Sequence, residues 1–383
     1  MNIAVIFHDN DMYSGASRSM LSLMETWKKD NNKIIAIIPS NGTMSKVIRE
    51  KQITVYEIPH FKTRVNLGRG SLYRFGAKIW GICSYVELKL YTILSLKSII
   101  RREKIEILYA NTTASMVGYE LTKCTSLPLV WHIREFGIED QNCEYVFGRN
   151  SLLKKLNRAN LIVYISKAVK KSYSSQLSGP LQIVAYNDIS SSFDCYTKRN
   201  WNKNELVLLS VGSVIPGKGH QYVIDAVISL RREGYPIRLK IAGKGQAYET
   251  QLRNYITKNN ADEYIEMLGQ VDDMSELRSR CDIGVVASTM EAFGRVTIEG
   301  MLSGMAMIGS NSGGTAELIK DGVTGLLFNP ADVDSLKAKI KYLFDNRDAV
   351  LRIADEGYTF SKQFIKGNCA ETIIREMKSV INE

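Results

Sequence analysis

The sequence lacks the cysteine patterns that build disulfide frameworks or structural zinc sites. Its six cysteines are scattered, include no C-x-x-C pair and have no histidine nearby at metal-binding spacing. Because free thiols are typical of reducing compartments, this usage predicts a cytoplasmic protein without structural zinc. The cysteines are Cys83, Cys124, Cys143, Cys195, Cys281 and Cys369.

Long apolar runs are also missing. No window reaches the roughly 18 uninterrupted apolar residues that a membrane-spanning helix requires. The sequence therefore predicts no such helix. Residues 1–7 form a short apolar run without a basic leader or a cleavage site, and residues 4–6 are typical of a first strand. We therefore expect no signal peptide.

Three further absences narrow the class of protein. No G-x-G-x-x-G follows the first predicted strand, which weighs against a nicotinamide or flavin dehydrogenase. Short-period repeats and low-complexity tracts do not occur. The composition, with 45% hydrophobic and 23% charged residues, argues against disorder. A chain of 383 residues is long for a single core, so two domains are expected.

Positive charge is concentrated in the first half of the chain. Residues 1–190 hold 26 basic and 15 acidic residues, a net charge of +11, whereas residues 191–383 hold 24 and 25, a net charge of −1. This asymmetry predicts an anionic partner for the first half: a phosphate-bearing acceptor or an acidic membrane surface. We expect no nucleic acid partner, because no nucleic-acid-binding motif accompanies the charge. A basic surface that serves solubility is the alternative.

Apolar runs typical of strands alternate with helical patterns, which predicts parallel sheets covered by helices. A polar stretch at 188–205 interrupts the alternation and predicts a domain boundary. The predicted domains are 1–187 and 188–360, followed by a helical pattern at about 361–383. Asp272 and Asp273 are typical of a helix N-cap. The predicted strands are 3–7, 34–38, 55–58, 107–110, 129–132, 162–165, 183–186, 207–211, 239–242, 265–268, 283–287 and 307–309.

The strongest functional motif follows the predicted strand 283–287. Glu291 lies in the loop after this strand, and Glu299 lies one turn into a predicted helix. Gly294 comes just before the helix, so its N-terminal N–H groups are open to an anion. Carboxylates on either side of that anion can accept hydrogen bonds from hydroxyls. A nucleotide-sugar, with ribose, diphosphate and sugar in line, has this arrangement.

The segment 291–328 resembles the donor-site signature of retaining GT-B glycosyltransferases of the family-4 type. The motifs of this signature follow one another in the same order as in the family: Phe293-Gly294, Gly313-Gly314, Glu317 and the run 321–327. The resemblance implies an α/β fold of two Rossmann-like doubly wound domains that face each other across a cleft. It further implies that 1–187 binds the acceptor, that 188–360 binds the donor and that the last helix crosses back onto the first domain.

The resemblance also assigns roles within the motif. Glu299 would bind the ribose hydroxyls and Glu291 hydroxyls of the donated sugar. Backbone N–H groups of Phe293 and Gly294 would contact that sugar. The backbone N–H groups of Val296 and Thr297, near the start of the helix, would bind the diphosphate.

Lys218 lies in a glycine-bearing turn after the strand 207–211, where the resemblance makes it the residue that stabilises the leaving group. Related enzymes usually carry an arginine where this chain has Ser213. Either the Ser213 hydroxyl donates a weaker hydrogen bond or another base, Arg18 or Arg295, supplies the missing cation. A solvated surface lysine is the alternative for Lys218.

In the first domain, the family's diglycine loop corresponds to Ser14-Gly15, in which only Gly15 is kept. His132 resembles the family histidine that orients a hydroxyl of the donor sugar and helps hold positive charge near the anomeric carbon. A structural histidine is the alternative. For Arg134 and Glu135, which follow His132, a local ion pair is as good an interpretation as a role in the site.

Other segments resemble family positions of less specific role. Gly243 and the pair Gln270-Val271 correspond to segments that line the nucleoside pocket. Asn187 begins the family's hinge motif, and we interpret it as the cap of a turn.

A helical pattern at 69–104 combines an apolar face with many basic residues. Leu72, Phe75 and Val86 belong to the apolar face, and Arg69, Arg74 and others surround it. One interpretation is a helix that lies on an anionic membrane, and the other is a sheet-covering helix with a basic edge.

Together these features predict a retaining, metal-independent glycosyltransferase without a cofactor. It would move a sugar from a UDP- or GDP-sugar to a saccharide or lipid-linked acceptor, in cell-surface polysaccharide or glycolipid synthesis. His132, Lys218 and Glu291 are the candidate catalytic residues. The predicted location is the cytoplasm, peripheral on the inner face of the plasma membrane. A non-catalytic nucleotide-sugar-binding subunit and a GT-B epimerase are the alternatives.

Overall fold

The structure is a computed structural model that describes residues 1–60, 63–67, 70–198 and 205–382. Its backbone divides into two compact units. Unit 1 comprises Met1–Asp188 together with Gly367–Glu383, and unit 2 comprises Ile189–Lys366. Residues 199–204 of the predicted boundary region lie outside the described residues.

Unit 1 is built on a seven-stranded parallel sheet with a separate two-stranded antiparallel sheet. Its strands are β1 (Asn2–Ile6), β2 (Lys33–Ile38), β3 (Thr54–Glu57), β4 (Arg64–Asn66), β5 (Ile107–Asn111), β6 (Leu129–Ile133), β7 (Cys143–Tyr145), β8 (Leu161–Tyr164) and β9 (Leu181–Val184). The large sheet has the order β3-β2-β1-β5-β6-β8-β9, and β4 pairs with β7. Strands β5, β6 and β8 are buried along their whole length, as expected where helices cover both faces.

Among the described residues of unit 1, seven α-helices precede unit 2 in the chain. They are α1 (Gly15–Lys29), α2 (Met44–Glu50), α3 (Ser71–Arg102), α4 (Val117–Thr122), α5 (Ile138–Gln141), α6 (Arg149–Leu156) and α7 (Lys167–Tyr173).

Unit 2 is built on a six-stranded parallel sheet. Its strands are β10 (Leu206–Val211), β11 (Ile237–Ala242), β12 (Ile265–Gly269), β13 (Ile283–Val286), β14 (Ala306–Ser310) and β15 (Leu326–Phe328), in the order β12-β11-β10-β13-β14-β15. Its helices are α8 (His220–Arg232), α9 (Ala247–Lys258), α10 (Met274–Ser279), α11 (Arg295–Leu302), α12 (Thr315–Leu318), α13 (Val333–Asp345) and α14 (Arg347–Ser361). The predicted N-cap is confirmed, because the Asp273 side chain accepts a hydrogen bond from Glu276 N at 2.9 Å.

The predicted α/β class with two doubly wound sheets is confirmed, since each predicted strand overlaps an observed one. Strands β4, β7 and β15 were not predicted. In each sheet the strand order reverses beside the first strand: β1 lies between β2 and β5, and β10 lies between β11 and β13. Loops diverge at such switch points, so ligands bind outside the carboxyl ends of these strands.

The final helix, α15 (Asn368–Asn382), belongs to unit 1. The helical pattern of the sequence continues from 359 to 381, but Gly367, with a φ of +79°, interrupts it. Trp27 Nε1 donates a hydrogen bond to Ala370 O at 3.0 Å. Ile373 and Met377 are fully buried in the core of unit 1, and burial of each contributes roughly 1.5–3 kcal/mol.

Helix α3 does not cover the sheet with its apolar face. Leu72 and Val86 of that face are 87% and 69% exposed. The residues buried on α3 are Gly81, Ser84, Thr92, Leu96, Ile99 and Ile100. The sheet-covering interpretation is therefore wrong for this face. Arg69, at the start of the predicted pattern, lies outside the described residues.

Among the described residues, α3 is also the one helix long and apolar enough to cross a membrane by length and composition. The sequence predicts no such helix because Glu87 and Lys89 interrupt the apolar run. Only 22% of its most apolar stretch is buried inside the protein.

Candidate functional site

Two loops of unit 2 bring Lys218 and Glu291 into contact. Lys218 ends a short helical turn, Pro216–Lys218, after β10, and Glu291 lies in the loop between β13 and α11. Lys218 Nζ lies 2.7 Å from Glu291 Oε2. The buried Ser288 hydroxyl donates to the same oxygen at 3.0 Å. Two of the three predicted catalytic residues are thus neighbours, although 73 positions separate them.

The glycine pair 313–314 packs directly against the Glu291 loop. Gly314 N donates to Glu291 O at 2.6 Å. A Cβ atom on Gly313 would lie 2.2 Å from Glu291 O, and one on Gly314 would lie 2.5 Å from Phe293 O. Real side chains cannot occupy these positions, so both glycines are required for the loop to keep this conformation.

Helix α11 begins after Gly294, which has a φ of +99°. The N–H groups of Gly294 and Val296 have no hydrogen-bond acceptor among the described residues, whereas Thr297 N donates to Gly294 O at 2.9 Å. Of the two helix N–H groups expected to bind a diphosphate, that of Val296 is therefore open and that of Thr297 is already engaged. An open N–H beside a helix N-terminus favours an anion.

Glu299 is held between two arginines. Arg295 Nε lies 2.7 Å from Glu299 Oε1, and the buried Arg278 contacts the other carboxylate oxygen through Nη2. Both guanidinium groups lie 5.5 Å from the ring centroid of Phe193. The carboxylate expected to bind ribose therefore already has strong partners, and so does Arg295, one of the two bases considered as a replacement phosphate ligand.

The loops after β10, β11 and β12 are joined by backbone contacts. Gly243 N donates to Gly269 O at 2.8 Å, and a Cβ on Gly243 would lie 1.8 Å from Gly212 O. Gly243 therefore has a structural reason to be glycine. Ser213 is exposed, with no partner for its hydroxyl among the described residues, and the side chain of Gln270 is exposed next to the half-buried Val271.

In unit 1, His132 lies in β6 and is fully buried. Its Nδ1 lies 2.6 Å from the hydroxyl of Tyr109, and its Nε2 has no partner among the described residues. Burial, together with the nearby Arg134, lowers the pKa of His132 well below its usual value. Tyr109 is also fully buried, and burial raises the pKa of its hydroxyl, which therefore keeps its proton. The Tyr109 hydroxyl can thus donate to Nδ1, which leaves the proton of a neutral imidazole on Nε2.

Arg134 and Glu135 do not form a side-chain ion pair with each other. Arg134 donates from Nε to Asn111 Oδ1 and from Nη1 to Asn187 Oδ1, both at 2.6 Å. Glu135 contacts Arg64 instead. The interpretation as a local ion pair is wrong, and Asn187 accepts a hydrogen bond from a buried arginine.

Gly15 is the first residue of α1, and a Cβ there would meet no atom within 4 Å. Open space surrounds this position, so protein packing does not require a glycine. Just before it, Asp9 and Asp11 form a D-x-D triplet after β1, a feature that the prediction of metal-independent chemistry left out. Asp9 contacts His8 Nε2 at 2.9 Å, and Asp11 accepts from Tyr13 N at 2.9 Å. Within the described ranges, no group of three or more His, Cys, Asp or Glu residues is arranged to hold a metal ion.

Sequence reasoning missed Arg278, Ser288, Phe193 and Tyr109, which support the predicted residues. Nothing in the sequence distinguishes Arg278 from the exposed Arg280 of the same segment. The structure places Lys218, Ser213, Gly243, Gln270 and the whole 291–299 motif in unit 2, and places Gly15 and His132 in unit 1.

The two doubly wound units agree with the fold that the sequence resemblance implies. Residues 196–360, within unit 2, match the family model for glycosyl transferases group 1. This part of the chain is therefore similar to the group 1 glycosyltransferases, and the match covers less than half of the chain.

Two relatives and two solved structures are similar to a larger share of the chain. An uncharacterized glycosyltransferase of Methanocaldococcus jannaschii is 27% identical over 325 residues, 83% of each chain. The GtfA subunit of a UDP-N-acetylglucosamine–peptide N-acetylglucosaminyltransferase of Streptococcus pneumoniae is 22% identical over 85% of this chain and 65% of that protein.

Anabaena HepE in complex with UDP and glucose has a TM-score of 0.79 at 20% identity, over 99% of this chain and 100% of that one. Sucrose-phosphate synthase from Thermosynechococcus elongatus has a TM-score of 0.78 at 16% identity, over 100% of this chain and 99% of that one. These likenesses confirm the predicted GT-B fold.

Proposed function

We propose that the protein is a retaining, metal-independent glycosyltransferase that uses a UDP- or GDP-sugar. The acceptor would be a saccharide or a lipid-linked sugar in cell-surface polysaccharide or glycolipid synthesis. The contact between Lys218 and Glu291, next to the open N–H groups of Gly294 and Val296, carries this proposal. A sugar diphosphate needs a cation, a carboxylate and N–H donors close together, so this arrangement supports the proposal.

In this proposal a donor diphosphate exchanges partners with the ion pair. The phosphate oxygens take the Lys218 ammonium and the Val296 N–H, and Glu291 is released to accept hydrogen bonds from sugar hydroxyls. Lys218 and the N–H groups then neutralise the charge that develops on the departing diphosphate. This neutralisation comes from the protein itself, which is the reason for proposing metal-independent chemistry.

Transfer would proceed by front-face attack. The bond between the anomeric carbon and the phosphate oxygen breaks, and the bond to the acceptor oxygen forms on the same face. The proton of the acceptor hydroxyl passes to the departing phosphate oxygen, so no strong protein base is needed. Glu299, held by Arg278 and Arg295, would accept from the ribose hydroxyls with its remaining lone pairs.

The first test is nucleotide release from a panel of UDP-, GDP- and ADP-sugars, with saccharide and lipid-linked acceptors and with and without a chelator. UDP-sugars come first because the HepE structure contains UDP. We expect acceptor-dependent release that the chelator does not reduce, and a product whose anomeric configuration by NMR equals that of the donor. Release that requires added metal, or an inverted product, would contradict the proposal.

A non-catalytic subunit is the second candidate function. Ser213 in place of an arginine favours it, and the relative from S. pneumoniae is named as a subunit. Such a protein would bind the nucleotide and release none with any acceptor. An epimerase would instead convert the nucleotide-sugar without an acceptor, which the same panel detects.

A further inference from the structure

Helix α3 presents an unusually apolar surface to solvent. Six large side chains, which we call the outer stripe, recur at helical spacing and are 47–87% exposed: Leu72, Phe75, Ile79, Val86, Leu90 and Leu94. At 1.5 Å per residue the stripe is about 33 Å long. No charged residue interrupts it at this spacing. Exposed apolar patches of this extent mark interaction surfaces.

The opposite side of α3 is attached to unit 1 by polar contacts. Lys89 Nζ lies 2.7 Å from a carboxylate oxygen of Glu120 on α4, and the Tyr85 hydroxyl donates to the same carboxylate. Glu120 is buried. Burial acts to raise the pKa of Glu120, but hydrogen bonds from Lys89, Tyr85 and Lys123 outweigh it and leave the pKa below its usual value.

Further contacts fix the same side of the helix. Thr92 Oγ1 donates to Pro59 O at 2.7 Å, and Lys78 pairs with Glu144 on β7. These contacts, which include the buried Glu120 and the partly exposed Lys78 and Lys89, set which side of α3 faces the protein. The outer stripe is therefore turned outward by specific contacts.

The charged residues of α3 indicate what kind of partner covers the outer stripe. Lys97 and Arg101 follow Leu90 and Leu94 at seven-residue spacing, so cations continue the line of the stripe. Glu87 is the one acidic residue of α3. If a second copy of the chain packed against the stripe, the cations of the two α3 helices would face each other with almost no acidic groups to balance them. An anionic bilayer offers apolar chains for the stripe and phosphates for the cations.

We propose that α3 lies flat on an anionic lipid bilayer, with the outer stripe inserted among the acyl chains and Lys97 and Arg101 at the headgroups. A flat orientation follows because Glu120, Pro59 and Glu144 hold the other side of the helix. This proposal goes beyond glycosyl transfer and does not depend on it. A lipid-linked acceptor is the substrate class that such attachment would serve.

The test is co-sedimentation of the full chain with vesicles. Vesicles of phosphatidylcholine containing phosphatidylglycerol are compared with phosphatidylcholine alone, at low and high salt. We expect binding to the anionic vesicles that salt weakens. The double variant V86Q/L90Q should bind at least about tenfold more weakly, about 1.4 kcal/mol, because it removes apolar side chains from the stripe. Both residues are exposed and glutamine is a good helix former, so the fold should be kept.

The matched control is L181Q, an exposed leucine of β9 outside α3. It should bind vesicles like the unaltered chain. Equal binding by V86Q/L90Q, or no binding to anionic vesicles at low salt, would overturn the proposal. A dimer in light scattering that V86Q/L90Q dissociates would also overturn it, because the stripe would then belong to a second copy. Nucleotide release is measured separately, without vesicles. Failure of the proposed enzyme function can therefore be distinguished from failure of the proposed membrane attachment.

Discussion

The Lys218 ammonium and the Glu291 carboxylate lie 2.7 Å apart, in loops that follow two neighbouring strands of unit 2. Each side chain is partly exposed, at 30% and 21%, so an incoming anion can reach the pair. The pair keeps both groups in place before a ligand arrives. In the proposed function, a diphosphate replaces Glu291 as the partner of Lys218, and sugar hydroxyls donate to the Glu291 carboxylate.

Replacing Lys218 should therefore weaken diphosphate binding and turnover together. We expect Lys218→Ala to lose most activity and to bind a nucleoside diphosphate about 10–100-fold more weakly, because a charge-assisted hydrogen bond contributes roughly 1.5–3 kcal/mol. Calorimetric titration with UDP and GDP measures the affinity. Lys258→Ala, at an exposed lysine that ends α9, is the control. Unchanged rates in the Lys218 variant would contradict the phosphate assignment.

Replacing Glu299 should affect stability as well as activity. Glu299→Ala leaves the buried Arg278 without its carboxylate, which costs about 3–5 kcal/mol when a buried pair is broken. We expect a lower midpoint in urea unfolding in addition to nearly abolished turnover. Arg280→Ala removes an exposed arginine from the same segment and should leave the midpoint unchanged. A Glu299 variant of unaltered stability would show that Arg278 has another adequate partner.

The Tyr109 hydroxyl should set the protonation pattern of His132. With Tyr109→Phe, Nδ1 loses its donor, so the proton should redistribute between the two ring nitrogens. Nitrogen NMR shifts of labelled histidine report this directly. We expect kcat to fall roughly fivefold to tenfold, the effect of about 1 kcal/mol, with KM for the donor little changed. Tyr164→Phe, at another buried tyrosine of the same sheet, is the control. An Nδ1–H tautomer of His132 in the unaltered chain would contradict the assignment.

Asp140 should make unit 1 less stable as pH rises through the acid range. Burial and the charge of Glu135 raise its pKa to about 6 in the folded state, from 3.8. A raised pKa means that the folded protein favours the protonated carboxyl. This stabilisation is complete below about pH 4 and is lost as pH rises through about 6.

Asp140→Asn cannot ionise, but it loses one of the two oxygens that accept from Phe136 N and Gly137 N. We therefore expect the stability of this variant, relative to the unaltered chain, to rise from pH 4 to pH 7 by on the order of 1–2 kcal/mol. Urea unfolding at several pH values measures it. Asp334→Asn, at a side chain that is 92% exposed, should show no such trend. A stability difference that stays constant or falls between pH 4 and pH 7 would contradict the predicted sign.

Much of the fold follows from local sequence. Buried parallel strands are continuous apolar runs, so 107–110, 129–132 and 283–287 are recognisable without any neighbour. The short strand β15 was missed because its three residues lie among glycine-rich turns. The break before α15 was missed because a helical period continues on both sides of Gly367.

The candidate site was predictable only in part. Glu291, Gly294 and Lys218 lie directly after strands, and their loops meet because parallel strands end at one edge of the sheet. The Arg278–Glu299 contact depends on how α10 and α11 approach each other, which no local pattern records. Likewise, the period of α3 identifies an apolar side but does not say whether a neighbour covers it. Contacts with the buried Glu120 of α4 determine which side of α3 faces the protein.

Helix α15 packs beside Trp27 and fills the core of a unit whose other residues precede position 189. During synthesis, unit 1 must therefore wait for the last residues of the chain while unit 2 is made in between. Until α15 has been made, the core residues of unit 1 that pack with Ile373 and Met377 lack these two partners.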